Sequence, residues 1–213
     1  MNFNAKQLTA YFVAGSQDVP AGQTLPDQLA AAIDGGITAF QYREKGPGAL
    51  TGTARLTLGE QLRAQCQTAS IPFFVDDDVD LAQTLHADGI HVGQTDQRIE
   101  AVIAAVPDMI IGYSCHTLAQ VRTANTLAAV DYIGSGPIFP TQSKADADPA
   151  IGLTGLTALV QASRRPIVAI GGLTQANYQA VARTGVAGAA VISLLTQAPN
   201  ITAAAHDLLE TFS

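Results

Sequence analysis

The chain has 213 residues, of which 47% are hydrophobic and 14% are charged, and its length fits one large domain or two small ones with a sizeable buried core. Eleven Lys and Arg residues stand against 18 Asp and Glu residues, which gives a formal net charge of −7. Because binding along a nucleic-acid backbone needs a basic surface, this charge balance excludes nucleic acid as an expected partner.

Membrane spans and disulfides are not expected either. Every apolar run is much shorter than the ~18 residues of a membrane span, and the first residues lack the basic and then apolar pattern of a signal peptide. We therefore expect a cytoplasmic protein with no membrane partner. The two cysteines, Cys66 and Cys115, form no CxxC motif, so both thiols are expected to be reduced and structural.

Short apolar segments rich in β-branched and aromatic residues alternate along the chain with longer segments of helical spacing. The strand candidates in chain order are 8–13, 39–43, 73–75, 89–92, 110–113, 132–135, 167–170 and 189–192. Between them, residues 54–69 show one-sided apolar spacing typical of an amphipathic helix. Three threonines stand where later helices are expected to begin, and the second has a capping-box Gln three residues on: Thr95, Thr117 and Thr174.

Eight strand and helix units in 213 residues leave about 27 residues for each unit, which suits a compact (β/α)₈ TIM barrel. The main competing fold is a doubly wound open sheet, which usually has about five or six strands and one ligand-binding switch point. Here polar residues follow at least seven of the predicted strands. We therefore expect an α/β fold in which residues 1–213 form a single (β/α)₈ barrel domain.

Gln41, Arg43 and Lys45 alternate at the end of the second predicted strand. Alternate residues of a strand point to the same side, so one amide and two cations converge on one volume. Inward cations at the carboxyl face of a barrel favour an anionic ligand. The alternative is that Arg43 and Lys45 form surface salt bridges with Glu44 or a neighbouring Asp.

Three consecutive carboxylates, Asp76, Asp77 and Asp78, follow the third predicted strand, and Asp96 follows the fourth. Adjacent carboxylates repel one another unless a cation neutralises them. Mg²⁺ takes one or two protein carboxylates and completes its shell with water and phosphate oxygens. Asp77 and Asp96, at equivalent ends of adjacent strands, could bind one such ion. The alternative is helix capping, for which Asp78 is the best placed.

The last strands are followed by residues typical of a phosphate site. Gly171 and Gly172 follow the seventh predicted strand and Ser193 follows the eighth, where barrels bind phosphate through backbone N–H groups and a helix N-terminus. Residues 141–144, Thr-Gln-Ser-Lys, lie in a long loop expected over the mouth of the barrel. These residues predict a phosphorylated ligand, with tight turns as the alternative.

Two histidines lie near the strand ends. His91 stands between two apolar residues of a predicted strand, so we interpret it as a hydrogen-bonded core residue, whereas His116 follows Ser114 and could touch a ligand. The sequence shows no Ser-His-Asp order and no HExxH spacing, so neither a nucleophilic triad nor zinc chemistry is predicted.

Six segments with specific residues follow one another at the predicted strand ends. They are QYREKG at 41–46, FFVDDDVDLA at 73–82, ADGIHVGQTD at 87–96, GYSCHT at 112–117, DYIGSGPIFPTQSK at 131–144 and AIGG at 169–172. In this order and spacing the chain resembles the thiamine-phosphate synthase family, from about Tyr11 to Leu195. The resemblance implies a barrel transferase that joins 4-amino-2-methyl-5-pyrimidinylmethyl diphosphate to a thiazole phosphate by a Mg²⁺-dependent, dissociative reaction. The products would be thiamine phosphate, for thiamine diphosphate biosynthesis, and pyrophosphate.

The resemblance also implies a role for each candidate residue. Mg²⁺ would be bound by Asp77 and Asp96, and the diphosphate by Arg43, Lys45 and Lys144. The pyrimidine would contact Gln41, Asp76 and Ser114. The thiazole phosphate would be held by Thr141, Ser143, Gly172, Ile192 and Ser193. The implied partners are these small molecules alone, with a homo-oligomer left open.

One position departs from the family pattern, because Asp76 stands where the family usually has Asn. A carboxylate cannot donate the hydrogen bond of an amide and adds charge near the diphosphate, so Asp76 could join the metal site instead. Two other functions compete: a thiazole tautomerase of the same superfamily, which would use His116, and a non-catalytic sensor of thiamine precursors. The full set of cations and carboxylates favours the synthase.

Overall fold

The computed structural model describes residues 3–141 and 149–213. Eight parallel strands form a closed barrel in which each strand pairs with the next and the eighth pairs with the first. In chain order they are β1 Ala10–Ala14, β2 Ala39–Tyr42, β3 Phe73–Asp76, β4 Gly89–Val92, β5 Ile110–Ser114, β6 Tyr132–Ser135, β7 Ile167–Ile170 and β8 Gly188–Val191. The closed ring confirms the predicted (β/α)₈ barrel and excludes the open sheet.

Helices connect successive strands around the outside of the barrel. They are α1 Leu25–Asp34, α2 Gly52–Ala69, α3 Val79–Thr84, α4 Ile99–Ala105, α5 Leu118–Ala124, α6 Gly152–Ala162, α7 Tyr178–Ala182, α8 Ser193–Thr196 and α9 Ile201–Phe212. Within the two described segments, none of the helices is both long and apolar enough to span a bilayer.

The strands are buried on both faces, as is usual for a parallel barrel. In β1, Tyr11 and Val13 belong to the core inside the barrel, whereas Phe12 belongs to the core between strands and helices. Phe74 lies between two tyrosines inside the barrel, with its ring centroid 5.3 Å from that of Tyr11 and 5.8 Å from that of Tyr132. These side chains fill the barrel interior, so the room for a ligand lies at one end.

Side-chain hydrogen bonds decide where the helices begin. Thr117 starts α5 with the predicted capping box: its Oγ1 accepts from the Gln120 N–H at 3.3 Å, and Gln120 Oε1 accepts from the Thr117 N–H at 3.0 Å. The predictions for Thr95 and Thr174 are wrong, because α4 and α7 begin four residues further on. Before α7 the chain forms a turn, in which the Thr174 N–H donates to Asn177 Oδ1 at 2.8 Å.

The first strand begins two residues later than the predicted segment 8–13. Asn4 Oδ1 accepts from the Lys6 N–H at 3.0 Å, and Gln7 Oε1 accepts from the Asn4 N–H at 2.9 Å. This capping box starts a 3₁₀ helix, Ala5–Leu8. Because Leu8 is apolar and fully buried in that helix, hydrophobic spacing alone does not separate it from the strand that follows.

Candidate active site

A large cavity lies at the carboxyl end of the barrel. Its volume is about 990 Å³, and residues at or after the ends of all eight strands line it. Ten of the predicted site residues are among them: Arg43, Lys45, Asp76, Asp77, Asp96, Ser114, Thr141, Gly172, Ile192 and Ser193. Since parallel barrel strands all end at the same face, side chains that are far apart in the chain meet in one volume here.

The other three predicted residues have different outcomes. Gln41 lies deeper, in a cavity of about 40 Å³ inside the barrel that shares lining residues such as Ser114 with the large cavity. Ser143 and Lys144 lie outside the described residues. Their contacts with phosphate groups therefore stay predictions.

Cations and carboxylates form one cluster on the wall built by β2, β3 and β4. Arg43 Nε lies 3.3 Å from Asp76 Oδ2, and Lys45 Nζ lies 3.8 Å from the same oxygen. Lys45 Nζ also contacts Asp77 Oδ2 and lies 3.8 Å from Asp96 Oδ1. Asp76 is therefore paired with both cations in this structure. We call these five residues the charged wall.

Two acidic residues that are adjacent in sequence to the charged wall, Glu44 and Asp78, do not belong to it. Glu44 points away from it and accepts hydrogen bonds from the Ser16 N–H at 2.6 Å and the Leu50 N–H at 2.7 Å. Asp78 caps α3 by accepting from the Leu81 N–H at 2.9 Å. The alternative of surface salt bridges is thus correct in part. Arg43 and Lys45 do pair with Asp residues, but these pairs line the cavity and do not lie on the outer surface.

Asp78 also shows how capping affects acidity. Burial raises its pKa, but hydrogen bonds from the Leu81 N–H and from Arg55, whose Nη1 lies 2.7 Å away, outweigh burial and leave the pKa below its ordinary value. A cap that stays ionised keeps α3 fixed at its start. The capping alternative therefore holds for Asp78, whereas Asp76 and Asp77 face the cavity.

Backbone geometry aims two carboxylates at the same point. Asp77 has a left-handed φ of 59°, and its N–H donates to the carbonyl of His91 at 2.9 Å. Asp96 Oδ2 accepts from the Gly93 N–H at 2.8 Å, which leaves Oδ1 toward Lys45. Carboxylate oxygens that converge on one cation are the donors that Mg²⁺ prefers. The side chains of Asp77 and Asp96 therefore fit a magnesium ion.

The opposite wall is built by backbone atoms of the last two loops. Gly171 and Gly172 follow β7 with φ of 93° and 68°. A Cβ atom on Gly172 would lie 2.5 Å from the carbonyl oxygen of Phe139, so this close approach of two loops needs glycine. Ser193 begins α8 after β8, and the N–H groups of a first helical turn have no intrahelical acceptor. We call this side the glycine wall.

A row of hydrogen bonds inside the barrel joins two of the predicted residues. Gln41 Nε2 donates to Tyr11 Oη at 2.9 Å, and Tyr11 Oη lies 3.1 Å from Tyr132 Oη. Tyr132 Oη lies 3.1 Å from His91 Nδ1, and His91 Nε2 lies 2.9 Å from Ser114 Oγ. His91 is therefore hydrogen-bonded, as predicted, but it is only partly buried and lines both cavities, so the prediction of a core residue is wrong. Burial raises the pKa of both tyrosines well above the ordinary value, so both phenols stay protonated.

The sequence analysis did not find the two tyrosines of this row, because buried aromatic residues in strands usually serve packing alone. It also missed the loop after β1, where Gln17 and Asp18 line the cavity. Gln17 Nε2 donates to the carbonyl of Arg43 at 2.9 Å, so this loop supports the charged wall. The position of these residues directly after a strand was the available signal.

Within residues 3–141 and 149–213, the two thiols and His116 do not form a nucleophilic site. Burial raises the pKa of Cys66 and of Cys115 to about 12, so neither thiol ionises at neutral pH. His116 lines the cavity, and its Nδ1 contacts the carbonyl oxygen of Gly136. Both cysteines are free and buried, which agrees with the structural role expected for both thiols.

Comparison with known proteins assigns the chain to a family. The family model described as thiamine monophosphate synthase matches residues 10–195. The chain belongs to this family. Thiamine-phosphate synthases from Levilactobacillus brevis and Lactiplantibacillus plantarum are 56% and 55% identical to it, and the alignments cover 100% and 98% of the chain and 99% and 96% of the relatives.

A solved structure of the thiamine monophosphate synthase family has the same architecture. The thiamine phosphate pyrophosphorylase from Pyrococcus furiosus superposes with a TM-score of 0.86 at 34% identity, covering 98% of this chain and 96% of that chain. These comparisons confirm the resemblance found in the sequence. Membership in the family makes the chain an enzyme, a transferase of thiamine biosynthesis.

Proposed function

We propose that the chain joins 4-amino-2-methyl-5-pyrimidinylmethyl diphosphate to thiazole phosphate and releases pyrophosphate. The observation that carries this proposal is the placement of the charged wall and the glycine wall in one cavity of about 990 Å³. One wall suits a diphosphate with a metal ion, and the other suits a single phosphate. A transferase that joins two phosphorylated molecules needs both.

The charged wall would act on the leaving group. Pyrophosphate leaves easily only when its developing charge is neutralised. Asp77 and Asp96 would bind Mg²⁺, which supplies positive charge to the diphosphate oxygens. Arg43 is buried and its Nε lies 3.3 Å from Asp76 Oδ2, and its guanidinium would contact the diphosphate. Lys45 would contact the diphosphate from the same wall.

The remaining residues would position the two reactants. Gln41, Asp76 and Ser114 would hold the pyrimidine at the floor of the cavity. The thiazole phosphate would bind along the glycine wall, through Thr141, Gly172, Ile192 and Ser193, and Ser143, outside the described residues, is predicted to contact the same phosphate. Lys144, outside the described residues, is predicted to contact the diphosphate. In a dissociative reaction the protein positions the reactants and neutralises charge, so no covalent nucleophile is required, which agrees with the un-ionised thiols.

The proposal is tested by supplying both substrates and Mg²⁺ to the purified protein. Thiamine phosphate and pyrophosphate should form in equal amounts, and EDTA should stop the reaction. Absence of pyrophosphate release under these conditions would refute the proposal. Thiazole phosphate alone provides the control for a tautomerase, and ligand binding without product would indicate a sensor.

Three expectations from the sequence accompany this proposal. The location is expected to be cytoplasmic, residues 1–213 are expected to form one domain, and the oligomeric state is open, with a homo-oligomer as one alternative. Fractionation and light scattering test the location and the oligomeric state.

A further inference from the structure

Five polar side chains from five different strands form the hydrogen-bonded row inside the barrel. Gln41 comes from β2, Tyr11 from β1, Tyr132 from β6, His91 from β4 and Ser114 from β5. The four heavy-atom distances along the row lie between 2.9 and 3.1 Å. We call this set the tyrosine relay. Both ends of the relay line the small cavity at the floor of the site.

The hydrogen bonds of the tyrosine relay run in one direction. An amide nitrogen can only donate, so Tyr11 Oη accepts from Gln41. In the described part of the chain, the second partner of Tyr11 Oη is Tyr132 Oη. Tyr11 is 1% exposed, and a buried hydroxyl proton without an acceptor is costly. The Tyr11 hydroxyl therefore donates to Tyr132.

The same reasoning continues to the other end. Tyr132 Oη accepts from Tyr11, and its other partner in the described segments is His91 Nδ1. The Tyr132 proton is thus donated to Nδ1, so Nδ1 is an acceptor without a proton of its own and the ring proton lies on Nε2. That N–H donates to Ser114 Oγ at 2.9 Å. The Ser114 hydroxyl then has its own proton available for an acceptor in the cavity.

We propose that Tyr11, Tyr132 and His91 are positioning residues that make the site selective for an aminopyrimidine. At one end of the relay, Gln41 Nε2 donates to Tyr11, so the amide oxygen of Gln41 is left to accept a hydrogen bond from a ligand. At the other end, Ser114 Oγ accepts from His91, so the Ser114 hydroxyl can donate to the ligand. An aminopyrimidine presents an amino donor beside a ring-nitrogen acceptor, which is the complementary pattern. The corresponding 4-oxo pyrimidine presents the reverse pattern. This inference rests on the proposed function, in which Gln41 and Ser114 hold the pyrimidine.

The first test measures the His91 tautomer in the wild-type protein and needs no substrate. In ¹⁵N-histidine-labelled protein at pH 7, nitrogen shifts distinguish a protonated from an unprotonated ring nitrogen, and His91→Gln assigns the signal among the four histidines. The expected result is a neutral ring with its proton on Nε2. A proton on Nδ1, or on both nitrogens, would overturn the proposed direction.

The second test measures selectivity in Tyr132→Phe and Tyr11→Phe, with Tyr42→Phe as the matched control. Tyr42 is equally buried, but its hydroxyl donates to the Arg55 carbonyl, outside the relay. Each relay variant should bind the aminopyrimidine diphosphate about tenfold more weakly, the loss typical of one hydrogen bond, and should lose about tenfold of its preference over the 4-oxo analogue. Pyrophosphate affinity should not change in any variant.

The outcomes keep the two proposals distinct. If both relay variants keep the wild-type selectivity, the proposed role of the tyrosine relay is wrong, whatever the enzyme's activity. An enzyme with the expected tautomer that forms no thiamine phosphate would overturn the proposed function alone. Should Tyr132→Phe fail to fold in a thermal melt, the wild-type tautomer and Tyr11→Phe still decide the question.

Discussion

At the scale of single residues, Lys45 connects the two roles proposed for the charged wall, binding of a metal ion and binding of a diphosphate. Its ammonium is shared by Asp76, Asp77 and Asp96, so a compact positive charge already sits where these carboxylates converge. A metal ion that binds Asp77 and Asp96 would release this ammonium from them. The two functions predicted for this wall therefore depend on each other.

Asp77→Ala should lower Mg²⁺-dependent kcat/KM by a factor on the order of 10² to 10³, because it removes a metal ligand and the charge stabilisation at the leaving group. The measurement is the steady-state rate over a Mg²⁺ titration. Asp80→Ala is the matched control, since Asp80 belongs to the same acidic segment but is exposed in α3. A nearly normal rate in Asp77→Ala would rule out the metal role.

Gly93→Ala should weaken Mg²⁺ binding without unfolding the protein. A Cβ atom on Gly93 would lie 2.8 Å from Asp96 Oδ2 and would displace this carboxylate. Because the contact is with the end of a side chain, the main effect falls on the site, and a loss of about 10- to 100-fold in metal affinity is expected for a residue that orients a ligand. Calorimetry with Mg²⁺ measures it. An unchanged affinity would show that Asp96 does not bind the metal.

The same scale shows what the sequence could and could not reveal. Arg43 and Asp77 were predictable because polar residues directly after barrel strands meet at one face. The partners of Asp76 were not, because the choice among metal, pyrimidine and cations depends on side-chain geometry. Tyr132 was not predicted, since a buried tyrosine looks the same in sequence whether its hydroxyl packs or donates.

At the scale of elements, strand cores were predictable and element ends were less so. Runs of β-branched and aromatic residues marked all eight strands, since burial on both faces demands them. The ends depend on local hydrogen bonds between side chain and backbone, as at Asn4 before the first 3₁₀ helix and Asn177 before α7. The contact between the loops after β6 and β7 depends on tertiary packing, and sequence spacing did not reveal it.

Gly172→Ala tests that loop contact. The new Cβ would lie 2.5 Å from the Phe139 carbonyl oxygen, a backbone atom, on a residue with φ of 68°. We expect a loss of about 1–3 kcal/mol in the free energy of unfolding, from strain and crowding, together with a higher KM for thiazole phosphate. Urea unfolding and steady-state kinetics measure the two effects.

Gly22→Ala is the control for this change, since Gly22 has a φ of 84° but its Cβ would meet nothing within 4 Å. It carries the left-handed backbone cost without the crowding. If both variants lose the same stability and neither changes the KM, the glycine wall is a turn alone and does not hold the phosphate.

At the scale of the whole molecule, the proposed function requires an acidic chain to bind two anionic ligands. The net charge of −7 makes nucleic acid an unexpected partner, but the position of the charges decides what a cavity binds. In the charged wall two cations face three carboxylates, which leaves a net charge of −1 before any metal binds. The glycine wall instead offers uncharged backbone groups. The two walls should therefore respond differently to metal removal.

Chelation of metal separates the two walls in one protein. With EDTA, the affinity for pyrophosphate should fall by at least about tenfold, because the charged wall then repels a multiply charged anion and Mg²⁺ no longer offsets its carboxylates. The affinity for thiazole phosphate should stay within about twofold, since backbone N–H groups bind it without metal. Calorimetry with each ligand, in Mg²⁺ and in EDTA, gives both values. An equal loss for both ligands would mean that they share the metal, and the assignment of a separate phosphate wall would then be wrong.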